Sequence, residues 1–257
     1  MIFPLLYEDE WLAIIRKPAG MHVHPTPLSP GEPAVLQALR DQLRQPVHPV
    51  HRLDRPTSGV LVFAKDARTA SLLGEAWRGR SVVKAYFALV RGWFPPLVAA
   101  DSPICDEDGA QPRPARTSLF ALAWHELPHA LGKHASVRTS LVLALPETGR
   151  RHQIRRHLAR STHPVIGDTG HGDRHHNHFF WERFAMEHLQ LFSVGIGFAH
   201  PQSGEWISVV DLPRGDGARI LDLAAAHRSR LLADFRGPVT PDLAERWRAA
   251  VPPSSHD

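Results

Sequence analysis

His51-Arg52-Leu53-Asp54-Arg55-Pro56-Thr57-Ser58-Gly59 runs directly into Val60-Leu61-Val62-Phe63-Ala64. The second piece is a short apolar run with the length and β-branched content of a buried strand. The first is polar and charged, and its Pro and Gly mark it as a loop. Loops carried on a rigid scaffold are where catalytic groups collect. Asp54 stands between Arg52 and Arg55, whose charges favour the carboxylate form. An ionised Asp suits nucleophilic attack at a sugar carbon. Taken alone, however, the stretch reads as a salt-bridged surface turn before it reads as a site.

Upstream, Pro4 to Arg16 predicts two short strands around the Glu8-Asp9-Glu10 cluster, the second ended by Lys17-Pro18-Ala19-Gly20. Residues 33–45 have helical spacing, with Val35, Leu36, Leu39 and Leu43 on one face. Downstream, Asp66 to Trp77 predicts a helix capped by Asp66, with Leu72 and Leu73 facing inward. Residues 82–92 and 140–149 alternate as strands do. Residues 93–135, rich in Pro, Gly and acids, predict a loop-bearing insertion with short strand-like pieces such as 117–124. A helix over 151–160 follows. After Pro213 the composition shifts to an Arg- and Ala-rich helical pattern over 218–235. A further helix is expected over 241–250, before a frayed tail at 252–257. Strands mixed with helices, without regular βαβ alternation, predict an α+β fold with a central, largely antiparallel sheet flanked by helices and loops. The expected division is a catalytic domain over 1–213 and a helical extension over 214–257.

The chain has 257 residues and 43% hydrophobic residues, enough for a sizeable core. No apolar run approaches the roughly 18 residues of a membrane span. The N-terminus carries acids where an export signal carries its basic flank. Cys105 is the single cysteine, so no internal disulfide can form and a reducing, cytoplasmic setting is expected. Net charge is only +4, yet of 30 basic residues only Lys17, Lys65, Lys84 and Lys133 are lysine. Codon bias accounts for arginine richness as well as function does, so distribution is the better guide. From Arg150 to Arg174 six arginines face two acids, Asp168 and Asp173. That local excess is the footprint of a nucleic-acid contact.

Within that region, Thr148-Gly149-Arg150-Arg151-His152-Gln153-Ile154-Arg155-Arg156-His157-Leu158 ends a strand and opens a helix crowded with donors. Spacing puts Arg151 and Arg155 on one face and His152 and Arg156 on the next. The first turn would also offer backbone N–H groups to an anion. By itself this too reads as a solvated basic helix. His125-Glu126-Leu127-Pro128-His129 spells a zinc-protease signature, but Pro128 breaks the helix that the signature needs. His171, His175, His176 and His178 lack regular ligand spacing and are expected to form a solvated loop. No metal is expected.

HRLDRPTSGVLVFAKD, KAYFALVRG and ETGRRHQIRRHLARSTHPVIGDTGHGD, in that order, resemble the RluA-type pseudouridine synthases, and the opening YEDEWLAIIRKPAGMHVHP fits the same family. The likeness covers roughly residues 5–213 and is greatest to the TruC-like branch, which modifies uridine sixty-five of tRNA in tRNA numbering. It implies a cofactor-free isomerase that flips a uridine of RNA out of its stack; a monomer is expected. In that scheme Asp54 is the nucleophile and Arg155 pairs with its carboxylate. Tyr86 stacks on the base, and Arg52 fills the space that the flipped nucleotide leaves. One cleft is expected to gather Asp54, Tyr86 and Arg155. Arg52, Arg55, Arg150, Arg151 and Arg156 are the expected RNA contacts. Phe192 stands where the family usually has His. A synthase acting on ribosomal RNA is the nearest alternative, and an inactive RNA-binding protein is the alternative of another class.

Overall fold

The computed structural model describes residues 2–26, 30–105, 111–214, 219 and 238–250. Its strands are β1 (Leu5–Glu8), β2 (Leu12–Lys17), β3 (His48–Pro49), β4 (Ser58–Ala64), β5 (Val83–Arg91), β6 (Leu97–Asp101), β7 (Arg116–Leu127), β8 (Val137–Pro146), β9 (Leu191–Ala199) and β10 (Trp206–Val210). Its helices are α1 (Val35–Leu43), α2 (Ala67–Arg78), α3 (Gln153–Arg160), α4 (Arg174–Phe184) and α5 (Leu243–Ala250). Two compact units emerge: unit 1 from Met1–Val83, Ser193–Leu212 and Pro238–Pro241, unit 2 from Lys84–Phe192, Pro213–Gly237 and Asp242–Asp257.

In unit 1 the strand order is β1-β2-β4-β9, with β3 added to β4 and β10 to β9. Side chains two apart on a strand share a face. Leu12 and Ile14, then Val60, Val62 and Ala64, then Ile196 and Phe198, then Ile207 and Val209 accordingly build one core with Leu73 of α2. Each fully buried large apolar side chain contributes about 1.5–3 kcal/mol. Asp66 caps α2 as expected, accepting the Thr69 N–H at 2.8 Å. Leu73 is buried, but Leu72 on the neighbouring position stays 36% exposed, so only one of the two leucines faces inward. Gly59, the second residue of β4, has φ +110°, and a Cβ there would lie 2.1 Å from the Ser193 carbonyl oxygen. Only glycine permits that approach.

In unit 2 the order is β5-β8-β7-β6, each pair antiparallel. Residues 93–135 do carry loops, at 102–105, 111–115 and 128–135, but they also complete the sheet of this unit. β6 and the 12-residue β7 extend the sheet, and β7 pairs with β8 as far as Leu127 opposite Val137. The prolines that suggested loop (95, 96, 103, 112, 114 and 128) lie outside the strands, where a missing N–H costs nothing. His125 and Glu126 sit on β7, so the zinc-protease spelling is not helical. The histidine-rich stretch is a second correction. It enters α4, whose first N–H groups, of His175 and His176, are capped by Asp173 Oδ1 at 2.9 and 3.2 Å. Phe180 anchors that helix, fully buried.

The expected helix near the C-terminus is α5, whose Trp247 ring packs 6.3 Å from that of Phe120 in unit 2. In unit 1, Val239 donates its N–H to Ser208 Oγ and accepts from Trp206 Nε1. The 218–235 pattern, Arg219 apart, and the tail at 252–257 lie outside the described residues. The α+β architecture with largely antiparallel pairing is as expected. Among the described residues no helix is long and apolar enough to cross a membrane.

Candidate active site

In unit 1, Asp54 is half-buried on the loop between β3 and β4, with Arg52 and Arg55 exposed beside it. The loop is closed by the Thr57 N–H donating to the Asp54 carbonyl at 3.0 Å. Gly20 N–H donates to the Arg55 carbonyl at 2.8 Å, and Arg55 Nε returns a bond to the Gly20 carbonyl at 3.0 Å. Arg55 also pairs with Glu32 at 3.0 Å on the surface. At the loop's start His51 Nε2 accepts from the Val62 N–H at 3.1 Å, and its ring stacks on Trp77.

Beneath the loop lies a residue that sequence reasoning missed. Lys17 ends β2 with no exposed surface. Its Nζ donates to the carbonyls of Pro18 at 2.9 Å, Arg55 at 3.1 Å and Thr57 at 2.8 Å. Three acceptors match the three donors of an ammonium group. Burial draws its pKa down to about 7, while the negative charge of Asp54 pulls the other way. Lys17 thus ties down the backbone just after Asp54 and sets a positive charge beside its carboxylate. The available signal was a charged residue closing the apolar run Leu12-Ala13-Ile14-Ile15.

In unit 2, Tyr86 lies on β5 opposite Ala144 of β8, with 9% of its surface exposed. Two residues earlier on that strand, Lys84 Nζ donates to the Thr148 carbonyl at 3.2 Å, and burial lowers its pKa to about 8. α3 begins at Gln153, two residues later than spacing predicts, because His152 adopts a left-handed conformation with φ 55°. Arg151 and Arg155 therefore share no helical face: Arg151 precedes the helix and is exposed, whereas Arg155 is buried within it.

Gln153 fixes the turn that feeds α3. Its Oε1 accepts from Thr148 Oγ1 at 2.7 Å and the Arg150 N–H at 3.0 Å. Its Nε2 donates to the Arg116 carbonyl at 2.8 Å and Thr117 Oγ1 at 2.9 Å. The side-chain amide makes the four bonds its chemistry allows. Arg155 donates from Nε and Nη2 to the two carboxylate oxygens of Asp168, each at 2.8 Å. Asp168 is a second residue that sequence reasoning left without a role. Arg150 and Arg156 brace neighbouring chain, donating to the carbonyls of Pro114 at 3.2 Å and Cys105 at 2.6 Å. Phe192 is buried in β9.

The structure thus gathers Arg52, Asp54 and Arg55 on one loop of unit 1. In unit 2 it sets Arg150, Arg151, Arg155 and Arg156 around the start of α3, and Tyr86 on β5. The first loop offers a carboxylate beside a cation. The second group offers an aromatic face and positive charge for an anionic, planar substrate.

Residues 12–160 match the family model described as RNA pseudouridylate synthase. Over 208 residues the chain is 44% identical to a protein of Vibrio cholerae named tRNA pseudouridine synthase C, covering 77% of this chain and 85% of that one. A protein of the same name from Pasteurella multocida is 40% identical, covering 81% and 90%. Among solved structures, human RNA pseudouridylate synthase domain containing 1 superposes with a TM-score of 0.68 at 22% identity, covering 100% of this chain and 97% of that one. Human RNA pseudouridylate synthase domain containing 4 gives 0.65 at 24%, covering 86% and 92%. Those two structures bear on the fold alone.

Proposed function

The chain belongs to the RNA pseudouridylate synthase family, and we propose that it isomerises one uridine of tRNA, at a uridine sixty-five-type site, with Asp54 as nucleophile. What carries this reading is the arginine-flanked Asp54 loop, pinned by a buried lysine, in a chain 44% identical to a tRNA pseudouridine synthase C.

The target base first leaves its stack, at a cost that favours loops and deformed stems. An Asp54 carboxylate oxygen then bonds to C1′ as the N1–C1′ bond breaks, or the carboxylate takes the C2′ proton as that bond breaks and a C1′–C2′ double bond forms. Either way uracil is released within the pocket. The base turns and C5 bonds to C1′, while the carboxylate leaves C1′ in the first route or returns the proton to C2′ in the second. Loss of the C5 proton and protonation of N1 complete an isomerisation with no net change in atoms or electrons. No step calls for a metal or an organic cofactor. Arg155 supplies positive charge that steadies the reacting carboxylate. Tyr86 supplies an aromatic platform for the base and assists removal of the C5 proton. Arg52 occupies the space vacated by the nucleotide. The protein acts as a monomer in the cytoplasm, and sedimentation as a dimer would revise the first of these.

Tritium release from C5-labelled uridine tests the reading. Release is expected from bulk unmodified tRNA and not from ribosomal RNA. Release from ribosomal RNA alone would move the substrate and keep the chemistry, and release from neither would leave an RNA-binding protein.

Arg52, Arg55, Arg150, Arg151 and Arg156 are the proposed phosphate contacts, so affinity for RNA is expected to fall with salt. For about three such contacts the fall is on the order of 20-fold between roughly 50 and 200 mM salt. Arg151→Ala is expected to lower the slope of log affinity against log salt by about 1. Titrations at a series of salt concentrations read both, and a flat dependence removes these arginines from RNA contact.

A further inference from the structure

We propose that Asp168 is a positioning residue that holds the Arg155 guanidinium at the angle the isomerisation needs. The inference rests on Arg155 being an active-site group, and it adds a residue and a loop to that site.

The pair is buried on both sides, with side chains 6% and 1% exposed. Its two 2.8 Å bonds run from Nε and Nη2 to the two carboxylate oxygens. This fork fixes the plane of the guanidinium, where a single bond would leave it free to swing. Nη1 lies on the opposite edge and carries two further N–H donors, so the plane set by Asp168 also sets the direction of that edge.

Asp168 is itself held more firmly than an ion pair requires. Oδ1 accepts the Gly170 and His171 N–H groups, each at 2.9 Å. Its carbonyl accepts from Asn177 Nδ2 at 2.9 Å, and Asn177 Oδ1 accepts the Gly167 N–H at 2.8 Å. Burial alone would raise the Asp168 carboxyl, but the hydrogen bonds and charge of Arg155 and the two N–H groups hold it below its usual value. This cradle leaves no room for a side chain at Gly172 and little at Gly170. A Cβ at Gly172 would lie 2.1 Å from the Asp168 carbonyl oxygen, and one at Gly170 would lie 3.3 Å from Arg155 Nη2. His171 Nε2 then meets Nδ1 of His152, the residue before α3, at 3.0 Å. The loop from Gly167 to Asp173 is thus wrapped around one carboxylate whose side chain is spent on orienting one arginine. An ion pair buried in this way is a weak source of stability, because desolvation offsets most of its attraction. Orientation is the better physical reason for building it.

The test uses the full chain and C5-tritiated uridine in bulk unmodified tRNA, with kcat, KM and melting temperature measured for three variants. Asp168→Asn keeps size and an acceptor for the two N–H groups but loses the charge and half the fork. Gly170→Ala leaves the ion pair intact and pushes Nη2 by a few tenths of an ångström, at a residue outside the left-handed region. A misplacement of about 1 Å costs about 100-fold in rate. Asp168→Asn is therefore expected to lose about tenfold in kcat, and Gly170→Ala severalfold. KM for tRNA is expected to stay near that of the parent in both, and so is the melting temperature of Gly170→Ala, whereas Asp168→Asn leaves a buried guanidinium without its counter-charge and is expected to melt lower. Arg155→Ala checks the reading beneath: full turnover there would remove Arg155 from the site. If Arg155→Ala is impaired while either folded variant retains the parent kcat, the positioning role is overturned and the reading of Arg155 survives. A kcat loss in Gly170→Ala that is matched by a fall in its melting temperature overturns it as well. Should Asp168→Asn fail to fold, Gly170→Ala decides alone.

Discussion

Asp54→Asn is expected to reduce pseudouridine formation by roughly 10⁴-fold or more while leaving tRNA affinity within about twofold of the parent. Asn has nearly the same size and keeps one acceptor oxygen, so the loop has no steric reason to move. The backbone that carries residue 54 is fixed from outside the side chain. Lys17 holds the Arg55 and Thr57 carbonyls, Gly20 holds Arg55, and the Thr57 N–H closes the turn on the residue 54 carbonyl. What changes is chemical. A carboxamide oxygen is a poor nucleophile toward C1′ and carries no charge to balance cationic character developing on the sugar. The arginines proposed to contact RNA are left untouched by the substitution. Single-turnover tritium release with enzyme in excess separates the two quantities. A variant within about tenfold of the parent rate would remove Asp54 from the nucleophile's role.

The parts of this site that sequence shows and hides differ in how local their causes are. The Asp54 loop was legible because Val60-Leu61-Val62-Phe63-Ala64 reads as a buried strand and the polar run before it as a loop, although β4 takes in Ser58 and Gly59 as well. Asp66 was legible as a cap because capping is decided within three residues. α4 was not, because Arg174-His175-His176-Asn177-His178 has little helix propensity and no clear apolar face. Asp173 at its start and buried Phe180 further along outweigh that weakness. β7 was seen only as its apolar middle, since its last residues become strand by pairing with β8, and no local pattern reports a partner. The error at α3 was conformational. Spacing assumes that a helix starts where its periodicity starts, and a left-handed His152 displaced the start by two residues. That displacement took Arg151 off the face it was expected to share with Arg155. Lys17 and Asp168 were hidden for a different reason: a charge on an apolar strand or in a glycine-rich loop carries no mark of what it will face once buried.

Lys17→Met is expected to lower stability by about 3 kcal/mol, and to lose activity through the Asp54 loop rather than through RNA binding. Methionine matches the length of the buried lysine stem but brings no donor. The carbonyls of Pro18, Arg55 and Thr57 would then lose the partner that now sits 2.8 to 3.1 Å away. Each buried acceptor left unsatisfied costs about 1–3 kcal/mol, offset in part where water reaches the loop. Urea unfolding measures the loss, and a change below about 1 kcal/mol would mean that the carbonyls find other partners. pH separates this account from a simple packing defect. The folded-state pKa of Lys17 is about 7, below its ordinary 10.5, so between those values the unfolded chain binds the proton more tightly than the folded one. Parent stability therefore gains from this group as pH rises from about 7 toward 10.5, and the penalty of burying the charge is fully present below that window. Lys84, lowered to about 8 by burial, adds a gain of the same sign over a narrower range. Lys17→Met removes the first gain and keeps the second, so its stability is expected to rise less steeply across the window. Asp54→Asn acts on the same amine in the opposite manner. Without the carboxylate that favours the ammonium, the folded-state pKa of Lys17 falls further and the rise in stability starts at lower pH. Equal pH slopes for the parent and both variants would show that Lys17 does not titrate with folding. Its hold on the loop would then be steric, and Asp54 would owe its placement to the backbone alone.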